Sequence, residues 1–332
     1  MKRSELRIGI VGTSAIAHKF ADAAKSSGCC RLVAVYSRTL SVGREFACAE
    51  GDLRVENDFE RFVSAPDLDA VYVASPNAIH YEQAREAIAH GKHVICEKPT
   101  TSCRAELDDL MRQAESRGLV FMEAMRPLHA PAFSVISENL AALGKIRRVH
   151  FEYCQYSSRY DRFRAGELPN AFNPALSNAA IMDIGVYPIA VLVALFGSPD
   201  HVSSASVFLH NGFEGSGELL CRYGDDMLAS VAYSKISDSV APSVITGEKG
   251  SLIIDRISAT ESLTLALRGM PERELAFERV ENDMVYEVRD FCAAVFGEKD
   301  PRFFSDCSMR TIELLDLARS QNGICFPADQ KG

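Results

Sequence analysis

The first part of the chain repeats one pattern of hydrophobic and polar positions, in which a short apolar run precedes a longer stretch with apolar residues at helical spacing. The apolar runs predict strands over residues 7–11, 31–36, 69–74, 93–96 and 119–122. The stretches between them predict helices up to Lys25 and over 42–50, 81–90 and 105–117. Glycines follow these helices closely, as helix stops commonly do. Strands and helices alternating in this rhythm predict βαβ units and a parallel sheet that extends to about residue 125.

The pattern changes after residue 125. A helix is predicted over 132–143, and apolar and polar residues then alternate with period two in seven segments, namely 146–156, 202–209, 217–223, 227–233, 243–246, 251–255 and 262–267. Such alternation is typical of antiparallel strands with one face packed and the other solvated or paired with another subunit. Helices are also predicted over 188–196, 284–296 and 307–320. The sequence therefore predicts an α/β fold with two domains, 1–125 and 126–332, the last helix being able to pack back on the first.

Composition is that of an ordinary soluble protein. Of 332 residues, 47% are hydrophobic and 24% charged, and no run of eighteen apolar residues occurs, so no transmembrane helix is expected. The opening residues predict a strand rather than the apolar region of a signal peptide, so a cytoplasmic location is expected. A net charge of −9 without a polybasic tract argues against nucleic acid or a membrane surface as the main partner.

The ten cysteines include no C-x-x-C pair and are scattered through apolar segments. This distribution favours reduced core thiols over a metal site. Cys29 and Cys30 are adjacent and cannot easily bridge each other. No metal is expected.

The turn after the first strand partly matches the dinucleotide-binding pattern G-x-G-x-x-G/A. Gly12 and Ala17 fit the pattern, and Ser14 replaces the glycine that lets backbone and pyrophosphate approach closely. A plain strand–helix turn is the alternative, but the preceding strand and following helix favour a nucleotide loop. The candidate cofactor contacts here are Gly12, Thr13, Ser14, Ala15 and Ile16.

The end of the second strand determines cofactor preference. An acidic residue there would bind the ribose 2′-hydroxyl of NAD, but this chain has Ser37, Arg38 and Thr39. A guanidinium suits a 2′-phosphate, so NADP is preferred and NAD remains possible. The alternative is that Arg38 is a solvated residue at a helix entry.

The loop after strand 69–74 carries the string S-P-N and a nearby histidine. Ligands bind at the carboxyl ends of strands in such sheets, so Ser75, Pro76, Asn77 and His80 are candidate cofactor contacts. Ordinary turn chemistry explains the string equally, and His80 fits a helix cap better than a catalytic group.

Two further strings carry the chemistry, E-K-P at Glu97–Pro99 and D-x-G-x-Y at Asp183–Tyr187. The chain contains, in this order, G-T-S-x-I-A, A-S-P-N-x-x-H, the long string G-K-H-V-I-C-E-K-P and D-x-G-x-Y. This series of motifs resembles the Gfo/Idh/MocA oxidoreductase family over essentially the whole chain. The tyrosine makes the chain most similar to the branch with dimeric dihydrodiol dehydrogenase and glucose–fructose oxidoreductase.

The resemblance implies an N-terminal Rossmann domain and a C-terminal α/β domain whose open, mostly antiparallel sheet often forms a subunit interface, hence a homodimer or homotetramer. It also implies that Glu97 and Lys98 lie at the cofactor, with Lys98 beside the substrate oxygen. Tyr187 then occupies the proton donor's position, and Asp183, four residues earlier, projects from the same helix face.

The roles that the resemblance implies for Lys98, Asp183 and Tyr187 are chemically reasonable. Hydride transfer to or from a carbinol carbon also requires movement of the hydroxyl proton. A free phenol titrates near pH ~10, and a nearby ammonium stabilises the phenolate. Lys98 can therefore make Tyr187 a competent acid and base, while Asp183 orients the substrate hydroxyl or keeps Lys98 charged. Taken singly, Lys98 also fits a turn lysine, Asp183 an N-cap and Tyr187 a packed aromatic.

Two regions depart from the family pattern or are less specific. Residues 177–180 are Ser-Asn-Ala-Ala where relatives are glycine-rich, which could reshape the pocket floor. Arg126 either reaches the nicotinamide end of the cofactor or pairs with Glu123. Arg159, Tyr160 and Phe172 are candidate substrate contacts, with a solvated loop as the alternative for this region.

The sequence thus predicts an NAD(P)-dependent oxidoreductase that acts on a hydroxyl–carbonyl pair of a sugar, polyol or cyclic diol, with a small molecule as its partner. A catalytically silent cofactor-binding regulator and an imine or biliverdin-type reductase are the alternatives, because one fold supports several functions.

Overall fold

The computed structural model describes residues 5–330, and the chain divides into two compact units. The first comprises the residues up to Arg126 together with Val280–Asp306, and the second comprises Pro127–Arg279 and the residues from Cys307 onward. The expected division at residue 125 therefore needs one correction. The segment 280–306 belongs with the first unit, because its helix packs on the first helix of the chain.

The strands are β1 (Leu6–Val11), β2 (Cys30–Tyr36), β3 (Arg54–Glu56), β4 (Ala70–Val73), β5 (His93–Glu97), β6 (Phe121–Ala124), β7 (Ile146–Cys154), β8 (His201–Phe208), β9 (Glu214–Tyr223), β10 (Met227–Ser234), β11 (Ser243–Gly247), β12 (Gly250–Ile254), β13 (Leu263–Leu267) and β14 (Arg273–Glu274). The α-helices are α1 (Ala15–Ser27), α2 (Leu40–Glu50), α3 (Phe59–Ser64), α4 (His80–Ala89), α5 (Arg104–Ser116), α6 (Arg126–His129), α7 (Pro131–Asn139), α8 (Tyr160–Arg164), α9 (Val186–Phe196), α10 (Met284–Val295) and α11 (Arg302–Asn322).

The sheet of the first unit has the order β3-β2-β1-β4-β5-β6, and all of its pairs are parallel. The strand order reverses between β1 and β4, which is where ligands bind in doubly wound sheets. Its central strands are buried on both faces, and β4 is buried at every position. The parallel α/β sheet predicted for the start of the chain is confirmed.

The second unit contains an eight-stranded sheet of order β14-β13-β12-β11-β7-β10-β9-β8. Its pairs are antiparallel except for β7 with β10, which run parallel. The predicted open, mostly antiparallel sheet is therefore confirmed, with the short edge strand β14 added to the seven expected strands.

One helical stretch, Pro174–Phe196, is long and apolar enough to satisfy the length and composition criteria for a membrane span. Its most apolar part is 78% buried within the protein. It consists of a 3-10 turn at Pro174–Leu176, a π-helical turn at Ile181–Gly185 and α9. Such burial is what the central helix of a protein core shows, and this stretch carries the D-x-G-x-Y string.

Candidate active site

The nucleotide turn joins β1 to α1 between the ends of β2 and β4. Gly12 has φ +107°, and its N–H donates to the carbonyl of Tyr36 at 3.1 Å. A Cβ added there would lie 2.8 Å from the carbonyl oxygen of Ala74, so only glycine fits. Thr13 and Ile16 are partly buried, and Ala15 is exposed.

Ser14 is the N-cap of α1. It is exposed, its hydroxyl makes no capping hydrogen bond, and the first turn of α1 contains no acidic residue. The N-terminus of α1 therefore presents backbone N–H groups without an internal anion to occupy them, which suits a phosphate.

The two residues that follow β2, Ser37 and Arg38, differ in their exposure. The Ser37 side chain is buried, and its hydroxyl donates to the carbonyl of Thr39 at 3.0 Å, so it shapes the turn. Arg38 is exposed, and across residues 5–330 it has no ion-pair partner. Of the two predicted contacts, the guanidinium is the one that is available to a 2′-phosphate.

His80 connects two of the predicted cofactor loops. Its ring is buried, with Nε2 2.7 Å from the carbonyl oxygen of Ser75 and Nδ1 2.9 Å from that of Pro99. Burial lowers the pKa of this imidazole, although both carbonyls favour its protonation. His80 thus neither caps its helix through the side chain nor faces outward to a ligand. It fixes the S-P-N loop, where Asn77 begins a short 3-10 turn, against the E-K-P loop.

The E-K-P string lies at the carboxyl end of β5. The Tyr72 hydroxyl, from the buried strand β4, donates to Glu97 Oε1 at 2.6 Å. Burial raises the pKa of Glu97, and the Tyr72 hydrogen bond opposes this effect. Because Glu97 immediately precedes Lys98, this bond anchors the backbone that presents the partly buried lysine.

Arg126 follows β6 and makes a contact that neither expected alternative named. Its Nη1 lies 3.0 and 2.9 Å from the two carboxylate oxygens of Asp283, which starts α10. Lys19 of α1 contacts the same carboxylate, with Nζ 3.0 Å from Oδ1. Arg126 therefore joins α10 to the cofactor edge of the sheet.

Glu287, one turn further along α10, is completely buried. Neither carboxylate oxygen has a hydrogen-bond partner within the described residues 5–330. Burial raises its pKa well above the ordinary value, and the charge of Glu97 raises it further. Both effects favour the protonated form of this carboxyl group.

In the second unit, a buried carboxylate supports the start of the D-x-G-x-Y segment. Glu214 Oε2 accepts from the backbone N–H of Ile181 at 2.8 Å, and its Oε1 accepts from the hydroxyls of Tyr233 and Ser206, both at 2.7 Å. Ser177, four residues before the π-helical turn, has φ +57°. A serine here adopts the left-handed backbone conformation, at a cost of about 1 kcal/mol or more.

Asp183 lies in the π-helical turn, a feature that is frequent at functional sites. Its Oδ2 is 2.7 Å from Nζ of Lys235, and its side chain is 36% exposed against 4% for the lysine. The same ammonium donates to the carbonyl of Ala171 at 2.7 Å and lies over the rings of Phe172 and Phe213 at 4.9 and 5.2 Å. This ion pair fixes the direction in which the Asp183 carboxylate points.

Tyr187 and Gly185 are placed by contacts with two strand tyrosines. Tyr187, in the first turn of α9, is 7% exposed and packs edge-on against Tyr153 with ring centroids 5.8 Å apart. A Cβ at Gly185 would lie 3.0 Å from the ring of Tyr233. The glycine of D-x-G-x-Y thus lets the turn bearing Asp183 approach β10.

Of the three predicted substrate contacts, Phe172 is corrected. It is completely buried in an aromatic cluster with Phe163 and Phe213, so it underlies Lys235 and is not available to a ligand. Tyr160 packs against this cluster and is partly exposed. Arg159, at the N-terminus of α8, is exposed and remains a candidate.

Lys235 and Glu287 are charged residues at positions where the hydrophobic pattern of the sequence predicts the core. Lys235 continues the inward-facing series of β10, two residues after Tyr233, so a lysine stands where an apolar residue is expected. Glu287 interrupts the apolar stripe of α10 in the same way. A charged residue at a core position of a periodic pattern indicates a buried polar function.

Family models match both parts of the chain. Residues 6–125 match the Gfo/Idh/MocA oxidoreductase family with an NAD-binding Rossmann fold, and residues 140–253 match the C-terminal domain of the same family.

Two similar proteins span nearly the whole chain. An uncharacterized oxidoreductase of Escherichia coli K12, YgjR, is 40% identical over 98% of both chains. The NADP(+)-dependent scyllo-inositol 2-dehydrogenase IolU of Bacillus subtilis is 39% identical over 98% of this chain and 99% of its own. Identity to mouse trans-1,2-dihydrobenzene-1,2-diol dehydrogenase is lower, at 26%.

A solved structure supports the fold. The 3-ketoreductase KijD10 of Actinomadura kijaniata, crystallised with NADP and TDP-benzene, superposes with a TM-score of 0.84 at 22% identity, covering 96% of this chain and 98% of its own. With both family domains matched and relatives near 40% identity over their full length, this chain belongs to the Gfo/Idh/MocA family and is an NAD(P)-dependent oxidoreductase that acts on the CH–OH or carbonyl groups of sugars, polyols or diols.

Proposed function

We propose that this protein interconverts a ring secondary alcohol of a cyclitol or sugar with its ketone, using NADP. The observation that carries the proposal is the π-helical turn that holds Asp183, paired with Lys235, one turn before Tyr187. A directed carboxylate next to a phenol is suited to accepting a substrate hydroxyl and moving its proton. A regulator that only binds the cofactor has no need of this arrangement.

The residues of the first unit fit NADP. The N-terminus of α1 offers unoccupied N–H donors, the Gly12 turn admits no side chain, and Arg38 is exposed where NAD-specific sheets carry a carboxylate. When bound, the cofactor supplies or accepts a hydride at its nicotinamide ring. The NADP in the names of the IolU and KijD10 relatives supports the same preference.

We assign the transfer of the hydroxyl proton, which accompanies hydride transfer, to side chains of this protein. Tyr187 donates a proton to the carbonyl oxygen during reduction and takes it back during oxidation. Lys98, carried by the anchored end of β5, is assigned the stabilisation of the negative charge that develops on the substrate oxygen. Asp183 accepts a hydrogen bond from a hydroxyl of the substrate, and Lys235 keeps its carboxylate from turning away.

Two observations favour a polyhydroxylated ring as the substrate. The Asp183 carboxylate is partly exposed, and such a carboxylate is an acceptor for neighbouring hydroxyls. Scyllo-inositol is the substrate in the name of the relative at 39% identity, IolU. We therefore expect inositols and their ketones to be preferred over apolar cyclic diols.

We also propose that the protein is an oligomer formed through the second sheet. On β8, β9 and β10, one face of the sheet carries exposed apolar residues, namely Val207, Leu220 and Leu228. Exposed apolar side chains on an open sheet face are typical of a subunit interface.

The test of the activity is a panel assay. Oxidation of NADPH is followed with keto-inositols, keto-sugars, dicarbonyls and a cyclic imine, for the parent protein, Lys98→Met and Tyr187→Phe. We expect turnover on keto-inositols, and a loss of about 10²-fold or more in kcat for each variant. Lys145→Met and Tyr81→Phe, matched changes elsewhere, should retain full activity. An unchanged rate in both site variants would contradict the proposed chemistry, and turnover confined to the imine would assign a different reaction.

Cofactor preference has its own test. Arg38→Ser should raise KM for NADPH at least tenfold, since it removes a charge-assisted contact to the 2′-phosphate, and should leave KM for NADH unchanged. Equal effects on both cofactors would contradict this assignment of Arg38.

A further inference from the structure

Three cysteine sulfurs meet in the first unit, away from the cofactor loops. The Sγ atoms of Cys29, Cys30 and Cys292 all lie within 4.8 Å of one another. Gly28 ends α1 with φ +69°, so the next two residues turn directly into β2, and Cys292 comes from α10, which packs on α1. Cys29 and Cys30 are adjacent in sequence and cannot easily form a disulfide with each other. Cys292, from a distant part of the chain, adds a third sulfur to the cluster.

The dimensions of this cluster suit a thiophilic metal ion. Zinc–thiolate bonds are about 2.3 Å long, so a tetrahedral site places its sulfurs about 3.8 Å apart, within reach of side-chain rotation. The hydroxyl of Ser27 lies 3.1 Å from the sulfur of Cys29 and 3.6 Å from that of Cys30. Three sulfurs and one hydroxyl oxygen therefore lie close together, which is the number of ligands that a tetrahedral site needs.

The surroundings favour a cation. The carbonyl of Ala24, in the last turn of α1, lies 3.7 Å from the Cys30 sulfur, and the carbonyl of Val288 lies 3.9 Å from that of Cys29. The C-terminal end of a helix carries partial negative charge and stabilises positive ions.

The position of the cluster allows entry and separates it from catalysis. Cys30 and Cys292 are buried, whereas Cys29 is partly exposed and opens the cluster to solvent. The cluster lies at the amino end of β2, the edge of the parallel sheet opposite to the carboxyl ends that carry the cofactor loops. No proposed catalytic or cofactor-binding residue belongs to it.

We propose that Cys29, Cys30 and Cys292 form a binding site for one divalent d10 ion of the zinc class, with the Ser27 hydroxyl or a water as the fourth ligand. Binding displaces the thiol protons, so its affinity rises with pH. The ion joins α10 to the turn between α1 and β2, and through α10 it holds Asp283 and Glu287 in place. Its role is therefore structural.

The experiment uses the full chain, reduced and desalted under anaerobic conditions. Cd²⁺ is titrated while the sulfur-to-metal absorption in the ultraviolet is followed, and Zn²⁺ affinity is measured by competition with a chromophoric chelator. We expect one equivalent to bind, and an affinity loss of at least 100-fold in Cys292→Ser and in Cys29→Ser. Cys48→Ser and Cys325→Ser, which change exposed single thiols, should bind as the parent does.

A second readout remains valid if a serine variant is unstable. Zn²⁺ should protect Cys29 of the parent protein from alkylation, as judged by peptide mass spectrometry, while leaving Cys48 reactive, and a chelator should reverse the protection. The proposal is overturned if the reduced parent binds no equivalent above the level of Cys292→Ser, or if Zn²⁺ leaves the alkylation of Cys29 unchanged. Retained one-to-one binding in a variant with all three cysteines replaced would overturn it as well.

Discussion

At the scale of single residues, the orientation of the Asp183 carboxylate depends on its ion pair with Lys235. The lysine ammonium is almost entirely buried and is shared between the Asp183 carboxylate, a backbone carbonyl and two phenyl rings. Removing one member of such a pair leaves a partly buried charge without compensation. The function of Asp183 should therefore depend on Lys235 even though the Lys235 side chain is only 4% exposed.

Lys235→Met should lower kcat/KM on the best substrate about tenfold or more, as Asp183→Asn does, because both disturb one interacting pair. The double variant should lose little beyond the larger single loss. Steady-state kinetics on the four proteins measures this coupling, with Lys249→Met as the control for an exposed lysine. Losses that multiply in the double variant would show that the two residues act independently.

The raised pKa of the buried Glu287 makes the free energy of unfolding depend on pH. Its folded pKa is raised, so the folded state binds this proton more tightly than the unfolded chain does. The contribution to stability is fully present below the unfolded pKa of about 4.3 and is lost as pH rises through the raised folded pKa. Glu287→Gln, which keeps the shape without the acid, should therefore gain stability relative to the parent from pH 5 to pH 8.

Urea unfolding at pH 5, 6.5 and 8 measures this difference, which should grow by up to about 1.4 kcal/mol per pH unit while the folded group stays protonated. Glu45→Gln, at an exposed position of α2, should give a constant difference. A Glu287→Gln difference that is also independent of pH would contradict a neutral buried acid.

At the scale of elements, the D-x-G-x-Y turn depends on close packing against β10. A Cβ at Gly185 would come within 3.0 Å of the Tyr233 ring, which its hydroxyl ties to Glu214 at 2.7 Å. Neither partner can yield fully, so the turn that carries Asp183 must shift outward by a few tenths of an ångström.

Gly185→Ala should therefore lower kcat about tenfold or more, because small displacements of catalytic groups are costly, while its melting temperature falls by only a few degrees. Steady-state kinetics and thermal unfolding on the same preparation separate the two effects. A large loss of stability with kcat preserved would show that the glycine serves folding alone.

The elements differ in how far the sequence predicts them. Strands such as Ala70–Val73 are continuous apolar runs between helices, so their existence and parallel pairing follow from the pattern. Arg54–Glu56 was not predicted because it has three partly buried residues, of which only Val55 is apolar, and so carries no periodic signal. The π-helical turn at Ile181–Gly185 was not predicted either, because it depends on a hydrogen bond to Glu214 from a distant strand.

The site was predictable to the extent that it lies in short strings. Lys98, Asp183 and Tyr187 stand in strings that the family shares, whereas Lys235 and Glu287 reach the same regions only through tertiary packing. Phe172 was misassigned because an aromatic residue in a polar loop gives no indication of whether it is buried in its own cluster.

At the scale of the whole molecule, the exposed face of the second sheet predicts association. Leu220 and Leu228 are 51% and 48% exposed and lie on one face of neighbouring strands. Leu220→Glu combined with Leu228→Glu should convert the oligomer to a monomer, because like charges would meet across the interface. Light scattering after size exclusion measures the mass, and Met270→Glu, at an exposed turn position, should leave it unchanged. A parent protein that is monomeric at micromolar concentration would contradict the proposed interface.

The proposed reaction couples hydride transfer to a proton carried by Tyr187, and the fate of the hydride can be followed with an isotope. The parent protein and Tyr187→Phe are each incubated with a keto-inositol and NADPH that carries deuterium at C4 of the nicotinamide, and the product is examined by NMR. Deuterium from a single face of the nicotinamide should appear on the new carbinol carbon, and the labelled product should form about 10²-fold or more slowly with the variant. Product without deuterium, or equal rates for the two proteins, would contradict the proposed reaction.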